Sequence, residues 1–96
     1  MRFVPYTDLE SIPNVIVDGA RAGSTVLTLS HWPKSGTPPE LRADTSTGIV
    51  FNYLDTPSSH VDVDVVSNNH FDEDGLVGMM ILLDPVVADK IGRAHV

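Results

Sequence analysis

Residues 61–83 run Val61-Asp62-Val63-Asp64-Val65-Val66-Ser67-Asn68-Asn69-His70-Phe71-Asp72-Glu73-Asp74-Gly75-Leu76-Val77-Gly78-Met79-Met80-Ile81-Leu82-Leu83, and three textures within them decide the fold class. Val61 to Val66 alternates β-branched residues with aspartate, the pattern of a strand. Ser67-Asn68-Asn69 is a polar bend. Leu76 to Leu83 is apolar on every side, which predicts a helix buried all round. Strand, turn and helix in this order are the unit of an α/β domain.

Upstream, Val15-Ile16-Val17 is a short β-branched strand closed by Asp18-Gly19, a turn signal. Thr25 to Ser30 is the next strand, ended by His31-Trp32-Pro33. The connection between the two is short, which suits a hairpin or a strand pair without a helical crossover. Thr37-Pro38-Pro39-Glu40 then reads as a helix start, with Thr37 as cap, proline at the first position and Glu40 completing a capping box. Leu41, Thr45, Ile49 and Tyr53 recur every fourth residue on its inner face. The poor helix formers Asp44 to Gly48 interrupt it, so the segment divides into two helical pieces. The first dozen residues have no clean period and predict an extended lead-in. Beyond Leu83, Asp84-Pro85 supplies a cap and a first-turn proline for a further helix. The expectation is an N-terminal part of a Rossmann-like α/β domain with a partly parallel sheet.

Bulk properties narrow the function. The chain of 96 residues has no cysteine, which removes disulfide frameworks and thiolate metal sites. Six lysines and arginines face thirteen aspartates and glutamates, a net charge of −7, so a broad nucleic-acid-coating surface is not expected. No signal-peptide pattern opens the chain, and no apolar run is long enough to span a bilayer, so a soluble cytoplasmic protein without membrane partners is expected. Lys90-Ile91-Gly92-Arg93-Ala94-His95-Val96 can be read back into the codons AAG ATC GGA AGA GCA CAC GTC, which contain the start of a widely used short-read sequencing adapter. The natural sequence is therefore expected to occupy residues 1–89, as part of one truncated domain, with 90–96 a non-native tail.

The chemistry lies just after the bend. His70, Asp72 and Asp74 stand at alternate positions, and in an extended segment alternate side chains share one side. An imidazole with two carboxylates suits a divalent ion of intermediate hardness such as Mn²⁺. Gly75 would let the chain turn into the apolar helix, whose N-terminus then lies beside the site. His31 and Asp64 are possible neighbours at the same sheet edge. Bland readings accompany each: carboxylates cap helices, a histidine after a strand is commonly a surface residue, Asp62 and Asp64 suit a solvated face, and Asp18-Gly19 suits a turn.

The segment Ser67-Asn68-Asn69-His70-Phe71-Asp72-Glu73-Asp74-Gly75-Leu76, after a β-branched strand and before an apolar helix, resembles the first motif of the DHH phosphoesterase superfamily. That resemblance implies an α/β fold, one or two Mn²⁺ or Mg²⁺ ions, and hydrolysis of phosphate esters or anhydrides. It assigns His70 and Asp72 to one ion and Asp74 to its neighbour. A phosphorylated small molecule or a short oligonucleotide would be the substrate of the intact protein. The superfamily's later motifs are not found in this chain, so the 96-residue piece is expected to be inactive. Two other readings compete. One is a haloacid-dehalogenase-like phosphatase with Asp72 as nucleophile and Asp74 as general acid; the other is a non-catalytic α/β binding module.

Overall fold

The computed structural model describes residues 1–70 and 73–84. Four short parallel strands form one sheet in the order β1-β4-β2-β3: β1 Arg2–Phe3, β2 Asn14–Val17, β3 Thr25–Leu29 and β4 Val65–Ser67. Helix α1, Ser46–Asp55, joins β3 to β4, and helix α2, Glu73–Leu83, follows β4. The fold is α/β and compatible with a Rossmann-like arrangement. Its sheet is parallel throughout rather than in part.

The alternation of side chains along each strand sorts the core into two layers. Val15, Val17, Leu27, Leu29 and Val66 join Ile49, Val50, Phe51, Tyr53, Met79, Ile81 and Leu82 of the helices in the main core. Ile16 and Val65 point the other way, beneath Val4 and Leu9 of the lead-in. Both helices therefore share one layer, while the opposite face of β4 and β2 is roofed by the lead-in, including a 3₁₀ turn at Tyr6–Asp8. Each large aliphatic side chain buried this way contributes about 1.5–3 kcal/mol.

The β2–β3 pair is parallel, which rules out the hairpin and leaves the other expectation, a strand pair without a helical crossover. Parallel neighbours are ordinarily joined through a helix, but here residues 18–24 suffice. Seven extended residues span about 23 Å, whereas a four-residue strand is only about 13 Å long, so the chain can retrace β2 without a helix. Side chains secure the return path. Asn14 Nδ2 donates to Ser24 Oγ at 3.0 Å, Thr25 Oγ1 donates to Asn14 Oδ1 at 2.9 Å, and Ala22 N–H donates to Thr25 Oγ1 at 2.8 Å.

The helical region does divide in two. Pro39–Leu41 forms a single 3₁₀ turn, and α1 begins only at Ser46. The cap is Thr45, whose Oγ1 accepts from Gly48 N–H at 2.9 Å, not Thr37. Thr37 instead closes the end of β3: its Oγ1 accepts from Ser30 N–H and lies within 2.8–2.9 Å of the carbonyls of Thr28 and Ser30. Leu41, Ile49 and Tyr53 are buried as their spacing implies, while Thr45 is exposed in its capping role.

Two further expectations change. Strand β4 starts at Val65, since Val61 N–H is taken by Tyr53 Oη at 3.2 Å and never joins the ladder. Helix α2 is not buried all round: among the described residues, Leu76, Val77, Met80 and Leu83 are exposed, because its sheet and α1 contacts use only the Gly75, Gly78, Met79, Ile81 and Leu82 side. No helix among the described residues is long and apolar enough to cross a membrane. Asp84 follows α2 with its N–H donating to Met80 O at 3.0 Å, while the helix restart expected from Pro85 and the 90–96 tail fall outside the described residues.

Candidate metal centre

The carboxyl ends of β2 and β3 and the N-termini of α1 and α2 meet at one place. Sites of α/β sheets form at such strand ends, and three ligand-type side chains converge here: Asp18, His31 and Asp74, with ligand atoms all within 4.8 Å of one another.

Asp18 directly follows β2 and is 1% exposed. Its φ is +53°, in the left-handed region, where Asp is tolerated better than most residues. This conformation ends the strand, while its N–H still pairs with Leu29 O at 2.9 Å. Asn68, just beyond β4, donates its side-chain amide to Val17 O and, at 3.3 Å, to Asp18 O. Gly75 in the first turn of α2 allows this close approach. A Cβ there would lie 2.8 Å from Asn68 Nδ2 and 3.3 Å from Asp18 Oδ2. The glycine therefore serves helix packing within α2 rather than a sharp turn before it.

His31, two residues past β3, has a side chain 40% exposed and packs edge-on against Trp32. Its Nδ1 lies 3.0 Å from Ser46 Oγ, 3.3 Å from Asp18 Oδ1 and 3.5 Å from Asp74 Oδ2. Ser46 has one hydroxyl proton, which it donates to Asp18 Oδ1 at 2.7 Å. Every neighbour of Nδ1 is then an acceptor, so this network assigns the ring proton to Nδ1.

Asp74, in the first turn of α2, reaches across to α1. Its Oδ2 accepts Ser46 N–H at 2.8 Å, and its Oδ1 accepts Thr47 N–H at 2.8 Å and Thr47 Oγ1–H at 2.6 Å. A carboxylate thereby satisfies two otherwise unpaired donors at a helix N-terminus, where negative charge is favoured.

The donor set fits a divalent cation. Two ligands at about 2.1 Å from an ion stand ~3.0 Å apart at a right angle and ~3.4 Å apart at the tetrahedral angle. The Nδ1–Oδ distances of 3.3 and 3.5 Å are close to that range. Two carboxylate oxygens and an imidazole nitrogen also suit Mn²⁺, Mg²⁺ or Zn²⁺ chemically.

The sequence-derived residues distribute unevenly. Asp74 and His31 belong to the cluster, though Asp74 does so from a helix and not from an extended segment. Two acidic residues, Glu73 and Asp74, begin that helix, as the helix dipole favours. His70 is exposed beyond β4, its N–H donating to Asn68 Oδ1 at 2.6 Å, and it is not part of the cluster. Asp72 lies outside the described residues. Asp64 sits at the opposite end of β4, 3.3 Å from the N-terminal amine of Met1, with its side chain 78% exposed. Sequence reasoning assigned Asp18 to a turn; the buried environment of its side chain is the feature that reading missed.

No curated protein and no solved structure matches the chain. One sequence family does, over residues 1–92, and its description is a family of unknown function, DUF6687. The chain belongs to DUF6687.

Proposed function

We propose that this domain contributes a divalent-metal site to a phosphoester-hydrolysing protein. The observation that carries the reading is the convergence of Asp18, His31 and Asp74 at the strand ends, beside the N-termini of two helices. In this reading Asp18, His31 and Asp74 hold one Mn²⁺ or Mg²⁺ ion, and the DHH-like motif assigns His70 and Asp72 to a companion. Such ions, when bound, neutralise charge on phosphoryl oxygens and activate an attacking water. The chain's own residues do the positioning: Thr47 and the α1 N-terminus fix the Asp74 carboxylate, and Ser46 fixes Asp18 against His31. A general-acid role for Asp74, as in the haloacid-dehalogenase-like alternative, fits less well, since both its oxygens are engaged as acceptors.

A second reading has its own support. Among the described residues every buried side-chain polar atom already has a hydrogen-bond partner without an ion. That suits a non-catalytic α/β module in which Asp74 simply ties α1 to α2.

Titration of the 96-residue chain with Mn²⁺, followed by loss of the free-ion EPR signal, separates the readings, with inorganic phosphate added as product probe. The phosphoesterase reading expects Mn²⁺ binding that is lost in Asp18→Asn and His31→Ala, and phosphate binding only when Mn²⁺ is present. Absence of ion binding at millimolar Mn²⁺ would establish the structural module. Ion binding without any phosphate affinity would refute the hydrolytic role.

A further inference from the structure

Ser46 is the residue on which the cluster closes, and nothing in the sequence motif points to it. It is fully buried, it opens α1, and it contacts all three members of the cluster. Its Oγ donates to Asp18 Oδ1 at 2.7 Å, accepts His31 N–H at 3.2 Å and stands 3.0 Å from His31 Nδ1, while its N–H donates to Asp74 Oδ2 at 2.8 Å. We infer that the Ser46 hydroxyl is a fourth protein ligand of the ion, an inference that rests on the metal-site reading above.

A serine hydroxyl has one proton and two lone pairs. The proton goes to Asp18 and one lone pair takes the His31 backbone N–H. The other faces Nδ1, whose proton an arriving cation would replace. An oxygen and a nitrogen 3.0 Å apart are spaced as adjacent ligands of one octahedral ion at about 2.1 Å. The site then presents three oxygens and one nitrogen, a set that favours Mn²⁺ or Mg²⁺ over softer ions. A serine that merely orients Asp18 would keep its second lone pair out of the coordination sphere.

The chain has no cysteine, so one introduced thiol gives an unambiguous optical reporter. Ser46→Cys is expected to bind Co²⁺ with a thiolate-to-metal charge-transfer band in the near ultraviolet and to shift preference from Mn²⁺ toward Cd²⁺. Ser46→Ala is expected to weaken Mn²⁺ binding about tenfold or more. Circular dichroism spectra of both variants establish that they are folded. Folded Ser46→Ala that binds Mn²⁺ as tightly as wild type, or Ser46→Cys that binds Co²⁺ without the band, would overturn the ligand role while leaving the three-residue site standing. If Ser46→Cys fails to fold, the Ser46→Ala affinity decides alone; if Ser46→Ala also fails to fold, Ser46→Thr decides, retained Mn²⁺ affinity supporting ligation and a tenfold loss opposing it. Wild-type protein that binds no divalent ion removes the site itself, a separate failure.

Discussion

Replacing Asp74 by alanine tests the joint between the two helices. Asp74 accepts two backbone N–H groups at 2.8 Å and one hydroxyl at 2.6 Å. Hydrogen bonds to a charged partner contribute about 1.5–3 kcal/mol each when fully shielded. The Asp74 side chain is 26% exposed, so water recovers part of the loss at each donor. A net destabilisation of about 2–3 kcal/mol is therefore expected for the three bonds together. For a domain of this size, each kcal/mol shifts Tm by about 4–8 °C, which places the variant roughly 10–20 °C below wild type. Urea unfolding followed by circular dichroism measures the difference directly. A double-mutant cycle with Thr47→Val isolates the hydroxyl contribution, with an expected coupling of about 1 kcal/mol. Asp74→Ala within about 0.5 kcal/mol of wild type, together with an additive cycle, would show that the carboxylate bridge does not form in solution.

Three other outcomes follow from the same geometry. Mn²⁺ at a hundred times its dissociation constant should stabilise wild type by about 2.7 kcal/mol, and this gain should vanish in Asp18→Asn, as read by thermal unfolding with and without the ion. Gly78→Ala should destabilise by about 1–3 kcal/mol despite the better helix propensity of alanine, because its Cβ would lie 2.7 Å from Val17 Cγ1 of β2; an unchanged or raised denaturation midpoint would contradict the helix–sheet packing. Asp64→Asn should alter neither Mn²⁺ affinity nor stability by more than about 0.5 kcal/mol, since its exposed carboxylate lies against the Met1 amine at the far end of β4; a marked loss of Mn²⁺ binding would mean that Asp64 reaches the site after all.

Local patterns carried most of the elements. The β-branched runs at Val15–Val17 and Thr25–Leu29 became strands, and the weak helix formers between Asp44 and Gly48 did mark a break. They marked it for a definite reason: that patch is the N-terminus of α1, where Thr45, Ser46 and Thr47 use their hydroxyls. Asp74 and His31 were visible as ligand types, one in the motif and one as a possible neighbour. Asp18 was not, because Asp-Gly after a strand carries the same local signal whether it faces water or a cluster. Its burial depends on β2 lying between β4 and β3, a consequence of strand order that no local window contains. The choice between a hairpin and a strand pair without a helical crossover at β2–β3 stayed open for a related reason, since a seven-residue connection ordinarily signals an antiparallel turn.

The two faces of the sheet are clad unequally, and this has a consequence for how the domain breathes. On one side, two helices interlock with the strands through a continuous core. On the other, the lead-in is held by the two-residue pairing of β1, the Met1–Asp64 ion pair, Val4 N–H on Val66 O, the Ser67 hydroxyl on Val4 O at 2.6 Å, and a cluster around Leu9 smaller than the main core. Local opening costs least where few apolar contacts resist it. Amide protons beneath the lead-in should therefore exchange through its partial detachment, while those of α1 should wait for loss of the whole fold. Residues 4–13 would then behave as a hinged flap over β4 and β2, while Met1 stays packed against the opposite core.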